Sequence, residues 1–317
     1  MACPVQGIPR TALWSGRATA AHRRRLPLAV RSASTRPQAK PEETTGLAAA
    51  QFDLKSYIAD KTLRVDAALD RAVPLCHPAR LYNSMRYSLL APGKRVRPVI
   101  ALASCELVGG PEGAAMPVAC AAEMMHVMSL IHDDLPCIDN DDLRRGRPSN
   151  HRAFGEGTAL LAGDSLVSLA FEHVATRTTG VPAERVLSAV SELASAMGPE
   201  GLAAGQIMDI ESEGKAVGLD VLENIHLHKT EVEAGGGGGV RGDRGRRQRD
   251  RGGSRPPVRT LRGPAVPANR RHPGRDEDAQ QLARTLVRNA EEELHGFDCV
   301  RALPLRRLAH YVADRHN

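Results

Sequence analysis

The amino-acid sequence predicts an all-α fold, in which helices pack side by side as a bundle. Between about Leu47 and Val232, Ala, Leu, Met, Glu and Arg dominate, and apolar residues recur at intervals of three and four. There is no convincing alternation with a period of two, and aromatic residues make up only 3% of the 317 residues. This pattern is typical of amphipathic helices that bury one face against their neighbours.

Glycine and proline divide this stretch into successive helices, since both residue types interrupt helical patterns. The predicted helices cover residues 49–73, 78–90, 94–108, 113–135, 156–176, 182–196, 200–213 and 219–232. The helical pattern resumes at Asp276 and continues to the end of the chain. We therefore expect a helical domain over 46–234 that is completed by helices in 276–317.

The N-terminal residues have the composition of an organelle transit peptide, which we assign to 1–45. Residues 1–40 carry seven Arg and one Lys without an acid, a net charge of +8, and they lack the apolar core of a secretory signal. An ordinary disordered basic tail is the alternative. Composition alone does not distinguish a plastid from a mitochondrial destination.

Residues 235–275 form a Gly/Arg/Pro-rich segment that interrupts the helical pattern. They contain eleven Gly, five Pro and twelve Arg against two Asp, a net charge of +10. Such a segment cannot form a helix or a core, so a disordered insertion is the simplest reading. RNA binding is a second reading, but we disfavour it because the segment lacks repeated Arg-Gly-Gly units and aromatic residues for base stacking.

Charge and cysteine content exclude several classes of protein. Because the whole chain carries +6, the part outside the two basic segments carries −12, and the pI near 9.2 does not indicate a nucleic-acid-binding domain. The six cysteines show no CxxC pair, which favours a reducing compartment over a disulfide framework or a zinc site. No run approaches eighteen apolar residues, so we expect no membrane span.

The strongest chemical signal is a cluster of acids at the end of the fourth predicted helix. Five aspartates fall within ten residues, at positions 133, 134, 139, 141 and 142, and Arg144 and Arg145 follow directly. Repulsion among so many carboxylates requires cations nearby. Oxygen ligands suit Mg²⁺, which bridges readily to phosphates, and guanidinium groups match phosphate oxygens. A Ca²⁺ loop of the EF-hand type is excluded because its Gly and Glu are absent.

Helix geometry places further residues near these acids. His126 and Ser129 lie on the same stripe of the helix as Asp133. Asp139 would fall on the wrong face of a straight helix, but Pro136 disrupts the last turn and can bring it back. We therefore expect Asp133 and Asp139 to lie together.

Three other short motifs surround this cluster. Gly93-Lys94-Arg95-Val96-Arg97-Pro98 predicts a second anion site, although a solvated basic helix end is the alternative. Gly205-Gln206-Ile207-Met208-Asp209 and His226-Leu227-His228-Lys229-Thr230 lie downstream. The two histidines of the last motif point to different helix faces, so a metal pair there is disfavoured.

Together, GKRVRP, MSLIHDDLPCIDNDDLRRG, GQIMD and HLHKT resemble the trans-prenyltransferases, in particular plant-type geranylgeranyl diphosphate synthases. The resemblance implies an isoprenoid-synthase-type helical bundle around a central cavity, Mg²⁺ as cofactor and a plastid location. It also implies condensation of isopentenyl diphosphate with allylic diphosphates to geranylgeranyl diphosphate. The implied partner is a second copy of the chain or another prenyl synthase subunit.

The resemblance also implies roles for individual residues. Lys94, Arg97, His126 and Arg145 match the isopentenyl diphosphate site. Asp133 and Asp139 match the metal ligands, with Asp134 beside them. Arg144, Gln206, Asp209, Lys229 and Thr230 match the allylic diphosphate site, and Asp133, Asp134, Asp139, Arg144 and Lys229 are the expected catalytic residues. The small Ser129 and flexible Met128 leave room for a C20 product.

The sequence departs from the family in one region. The family carries a second motif, Asp-Asp-x-x-Asp, some tens of residues after HLHKT, and no such motif follows Thr230 here. The Gly/Arg/Pro composition of the interval is what out-of-frame reading of GC-rich coding sequence gives, so we hypothesise a frameshift or mis-splicing across roughly 234–274. A catalytically inactive or regulatory subunit is the alternative for the chain as written.

Overall fold

The structure, a computed structural model, describes residues 52–213 and 276–314 and the single positions 215, 221, 225 and 228. The predicted transit peptide, the Gly/Arg/Pro-rich segment and most of the predicted helix 219–232 lie outside these residues. The described elements are α1 Leu54–Ala72, α2 Ala79–Leu89, α3 Val96–Leu107, α4 Glu112–Asp133, β1 Leu143–Arg144, β2 Arg147–Pro148, α5 Asn150–Phe154, α6 Glu156–Arg177, α7 Ala183–Met197, α8 Leu202–Ser212, α9 Asp276–Glu293 and α10 Cys299–Ala313.

Helix α4 is the centre of the larger hydrophobic core. An unbroken run from Pro117 to Met125 is buried, because other helices cover α4 on several sides. Its principal neighbour is α6, which faces it with the small residues Ala159, Ala162, Gly163 and Ala170. Small residues allow two helix backbones to approach closely, so α4 is fixed tightly in the bundle.

By length and composition alone, α4 could cross a membrane, contrary to the sequence prediction. Its most apolar window has a mean hydropathy of 1.5. In the structure 67% of that window is buried inside the bundle, as in the core helix of a globular domain.

A second core cluster joins the last helices to the first ones. Leu294, Leu305 and Leu308 pack against Val99 and Leu107 of α3. Asp298 begins α10 by accepting hydrogen bonds from the backbone N–H groups of residues 300 and 301. Described residues after the Gly/Arg/Pro-rich segment therefore share a core cluster with helices that precede it.

The prediction of an all-α fold is confirmed, and seven of the predicted helices occur within the described residues with ends that shift by at most five residues. The sequence missed the short helix α5 and the two-stranded hairpin β1–β2. In the hairpin Leu143 pairs with Pro148 and Arg144 with Arg147. Strands of two residues are too short to show a period, which explains the omission.

Candidate active site

The chain turns back at the end of α4 and brings Asp139 beside Asp133. The helix ends at Asp133, and the backbone N–H of Asp139 donates to the carbonyl oxygen of Asp133 at 2.8 Å. Two further bonds to the carbonyl oxygen of Leu135, from Ile138 at 2.9 Å and Asn140 at 3.1 Å, close the turn. Both aspartates are half-buried at its rim. The reversal expected after Pro136 is therefore present.

The neighbouring Asp134 points inwards and pairs with Arg144. Only 2% of Asp134 is exposed, and its carboxylate accepts hydrogen bonds from Arg144 Nε at 2.9 and 3.2 Å and from Arg144 Nη2. Arg144 Nη2 also donates to Asp141 at 3.2 Å. Burial raises the pKa of Asp134, and the guanidinium offsets part of that rise. This ion pair fastens the hairpin to the end of α4.

The hairpin itself is set by a tight turn at Arg145-Gly146. Both residues have positive φ, +54° and +75°, which is the backbone of a type I′ turn. Glycine adopts this conformation without steric cost, whereas Arg145 is held in it by the flanking pair of strands. The turn directs the Arg145 side chain to the loop before α3, where Nη1 donates to the carbonyl oxygen of Pro92 at 2.9 Å.

A cationic cavity of about 440 Å³ lies between that loop, α4 and the hairpin. All four residues matched to the isopentenyl diphosphate site, Lys94, Arg97, His126 and Arg145, line it. They come from three separate parts of the chain, so their convergence is a property of the fold. The concentration of positive charge around one cavity favours an anionic ligand.

Arg95, the remaining cation of the GKRVRP motif, has a structural role. Arg95 is buried, and its guanidinium donates to Glu123 at 2.6 Å and to Asp66 at 2.7 Å. It also donates to the carbonyl oxygens of Leu89 at 2.9 Å and Ala91 at 3.0 Å. Arg95 thus anchors the loop, while Lys94 and Arg97 face the cavity.

The imidazole of His126 is neutral in this setting. Burial of the ring, together with the positive charges of Arg97 and Arg145, holds the pKa of His126 well below its ordinary value. A neutral imidazole offers one hydrogen-bond donor and one acceptor beside the cationic side chains.

Two more of the predicted site residues lie one turn apart on α8. Asp209 is buried and Gln206 is half-buried, and both face the interior of the bundle. The Gln206 amide nitrogen is buried and has no hydrogen-bond partner among the described residues. Lys229 and Thr230 lie outside the described residues.

The residues proposed to set product length lie on α4, below Asp133. Met128 is buried in the larger core, and Ser129 is half-buried. The Ser129 hydroxyl donates to the carbonyl oxygen of His126 at 2.8 Å. This bond satisfies the hydroxyl and leaves a small side chain at that level of the helix.

The acids at the end of α4 fit a magnesium ion by their chemistry. Within the part of the chain that the structure describes, no group of three or more His, Cys, Asp or Glu side chains forms a complete metal centre. Mg²⁺ does not require one, because it is commonly held by one or two carboxylates together with water and substrate phosphates. Asp133 and Asp139 supply two such carboxylates.

Sequence reasoning missed two groups that shape the site. Asn150 accepts from Ser84 Oγ at 2.7 Å and donates to Ser88 Oγ at 2.8 Å, and so ties α5 to α2 below the hairpin. Arg147 of the hairpin stacks on the ring of Tyr87, which lies in α2. The partners are some sixty residues apart in the chain, so no local motif reveals either contact.

A helical bundle that carries paired carboxylates beside a cationic cavity defines an isoprenoid-synthase-type prenyltransferase. The sequence matches polyprenyl synthetases over residues 78–233. It is 47% identical to "Geranylgeranyl pyrophosphate synthase 7, chloroplastic" of Arabidopsis thaliana, covering 84% of this chain and 85% of that protein. The chain belongs to the polyprenyl synthetase family.

Two further comparisons support this assignment. The "Heterodimeric geranylgeranyl pyrophosphate synthase large subunit 1, chloroplastic" of Arabidopsis thaliana is 48% identical, over 84% of this chain and 80% of that one. The crystal structure of an FPP/GFPP synthase from Zymomonas mobilis superposes with a TM-score of 0.66 at 28% identity, covering 82% of this chain and 98% of that one.

Proposed function

We propose that this prenyltransferase is a plastid geranylgeranyl diphosphate synthase, which condenses isopentenyl diphosphate with allylic diphosphates. The convergence of Lys94, Arg97, His126 and Arg145 on one cavity, next to the cleft that Asp134 lines, is the observation that carries the proposal. The chloroplastic synthases named above support both the reaction and the location.

The cationic cavity receives the diphosphate of isopentenyl diphosphate. Arg97 and Arg145 present planar guanidinium groups that match phosphate oxygens, and Lys94 adds a compact charge. His126 contributes a neutral hydrogen-bonding group, because its pKa is too low for protonation at neutral pH. These contacts orient the substrate so that its double bond is presented to the allylic carbon.

Magnesium would be held by Asp133 and Asp139 and would neutralise charge on the departing diphosphate. Asp134 is not available to bind magnesium, since it is buried against Arg144. Its role is to fix Arg144 and the hairpin at the end of α4. The family resemblance supports the assignment of Arg144 to the allylic diphosphate.

Exclusion of water is the second requirement of the reaction, because an allylic cation must meet the alkene before it meets water. A narrow cleft beside the Asp134–Arg144 pair is lined by the apolar Val127, Leu130 and Ile131 of α4. The same helix thus supplies metal ligands at its end and a dry wall below them.

Incubation of the purified full chain with Mg²⁺, isopentenyl diphosphate and an allylic diphosphate tests the proposal. We expect a C20 diphosphate, which disappears when the metal is chelated. Asp133→Asn and Asp139→Asn should each lower kcat by at least about a hundredfold, the usual effect of removing a positioned electrostatic group. Asp142→Asn is the matched control, since Asp142 is exposed and pairs with Arg152.

Association with a second subunit is part of the proposal. The candidates are another copy of this chain and a different prenyl synthase subunit, the latter suggested by the heterodimeric relative. Absence of product from the chain alone, with product restored by a second subunit, would replace the synthase assignment by that of a regulatory partner.

A further inference from the structure

Arg147 lies on the wall that two cavities share. It lines the cationic cavity together with Lys94 and Arg97, and it also lines the narrow cleft formed by Val127 and Ile131. The family resemblance assigns no role to this residue. Its position between the two spaces places it where the two substrates would meet.

An aromatic platform fixes the orientation of this arginine. The Arg147 guanidinium carbon lies 4.2 Å from the centroid of the Tyr87 ring. Tyr87 is itself held, because its hydroxyl donates to the carbonyl oxygen of Pro148 at 2.8 Å and its ring packs edge-on against Phe154 with centroids 5.3 Å apart. A guanidinium stacked on a ring keeps its N–H donors in its own plane, free to bind phosphate oxygens.

The charge of Arg147 is also left uncompensated. Arg144 and Arg147 are direct partners across the hairpin, where like charges destabilise the pairing. Asp134 and Asp141 neutralise Arg144. Among the described residues no hydrogen bond or ion pair of Arg147 with an acid occurs, so a bound anion would complete the arrangement.

We infer that Arg147 is a further diphosphate-binding residue, which contacts the substrate held in the cationic cavity. The identity of that substrate as isopentenyl diphosphate rests on the proposed function. Arg147 and Tyr87 act together, because the Tyr87 ring positions the guanidinium group and the guanidinium group binds the anion.

Titration of the full chain with inorganic pyrophosphate, without divalent cations, tests the binding role directly by calorimetry. Arg147→Gln should raise the dissociation constant about tenfold, the loss expected for a hydrogen-bonded charged group. Tyr87→Leu should raise it about two- to fivefold, because it removes only the cation–π contact. Arg147→Lys should lie between Arg147→Gln and the wild type.

Arg185→Gln is the matched control, since it removes the same charge from an exposed position on α7 that lines neither cavity. It should leave the dissociation constant unchanged. An affinity of Arg147→Gln within twofold of the wild type would overturn the inference, as would failure of the wild type to bind pyrophosphate.

Steady-state kinetics then assign the substrate. We expect Arg147→Gln to raise KM for isopentenyl diphosphate while kcat and KM for the allylic diphosphate stay the same. A rise confined to the allylic KM would overturn the assignment to the cationic cavity. If the wild type binds pyrophosphate but forms no product, the proposed function fails, and the calorimetric comparison alone decides the role of Arg147.

Discussion

Arg144, Arg145 and Arg147 carry the same guanidinium group but bind three different kinds of partner. Arg144 pairs with buried and half-buried carboxylates, Arg145 donates to backbone carbonyl oxygens, and Arg147 stacks on an aromatic ring. The sequence shows only that arginines are clustered here. The partners of Arg145 and Arg147 come from a distant segment, which is why Arg147 was not singled out from the sequence.

The same limit applies to the GKRVRP motif. Its composition predicted an anion site, and all three of its cations line the cationic cavity, although Arg95 is almost fully buried. The sequence could not show that Arg95 faces inwards, because its acidic partners Asp66 and Glu123 are 29 and 28 residues away. Local pattern indicates which chemistry is present, and tertiary packing decides which side chain performs it.

His126 makes the stability of the protein sensitive to acid. Its pKa is lowered in the folded state, so below about pH 6.5 the unfolded chain binds a proton that the folded chain does not. This contribution is fully present above the ordinary histidine pKa and is lost as the pH falls towards the folded value, by up to about 1.4 kcal/mol per pH unit. Urea unfolding of the wild type and of His126→Gln at pH 7.5 and 5.5 measures it. The fall in unfolding free energy should be smaller in the variant, and an equal fall in both would contradict the prediction.

At the scale of elements, the contact between α4 and α6 positions the end of α4, which carries Asp133. A Cβ atom at Gly163 would lie 2.1 Å from Nε2 of His132, the residue before Asp133. The His132 ring is also within hydrogen-bonding distance of the carbonyl oxygen of Leu160, at 3.2 Å. Glycine at 163 therefore lets the imidazole lie between the two helices.

Gly163→Ala should destabilise the protein by about 1–3 kcal/mol, since the extra methyl group forces the ring or the helix to move. Helix propensity alone favours alanine over glycine by about 1 kcal/mol. A lower free energy of unfolding therefore indicates that packing dominates, and a higher one that propensity dominates. The midpoint of urea unfolding is the measurement. Gly157→Ala, in the same helix with no atom within 4 Å of the new Cβ, is the control and should be neutral or stabilising.

The face of α4 below Asp133 gives a prediction about product length. Ser129→Phe places a large ring one turn below Asp133, where under the proposed function a growing prenyl chain would extend, so the main product should shorten from C20 to C15. Chromatography of the dephosphorylated products measures the change. Ser168→Phe is the control, since this exposed serine of α6 also donates to a carbonyl oxygen one turn back, at 3.1 Å. An unchanged product from Ser129→Phe would refute the role of this position.

Element boundaries were the part of the fold that sequence patterns described best. Helix α6 was expected at 156–176 and runs from Glu156 to Arg177, because apolar periodicity and flanking glycines mark both ends. By contrast, the sequence did not predict the hairpin, because its turn combines Gly146 with an arginine in a conformation that arginine rarely adopts. That conformation is held by the flanking pair of strands.

At the scale of the whole molecule, the region after Thr230 decides whether the chain carries a second acidic motif. Leu294, Leu305 and Leu308, which follow the Gly/Arg/Pro-rich segment, pack against α3, which precedes it. The alignment with the 47% identical relative spans 305 positions but covers only 84% of this 317-residue chain. The number of aligned positions is therefore larger than the number of residues of this chain that they contain. Some positions of the relative therefore have no counterpart here, in agreement with the absence of a second Asp-Asp-x-x-Asp motif after Thr230.

We therefore expect the messenger RNA to encode a longer and different sequence across 234–274, with a second acidic motif. Sequencing of the transcript is the measurement. Transcripts that carry the Gly/Arg/Pro-rich segment in frame, associated with translating ribosomes, would contradict the frameshift hypothesis. The chain as written would then lack one set of metal ligands, and we would expect little or no activity without a partner subunit.

The burial of Arg95 has a consequence for how tightly the protein can hold its ligand. Four hydrogen-bonding partners clamp this residue at the end of the loop that carries Lys94, next to Arg97 in the first turn of α3. A loop that is preorganised in this way has little conformational entropy left to lose when a diphosphate arrives. Damage to the clamp, for example at Asp66, would thus weaken recognition from a distance, even though that side chain lines neither cavity.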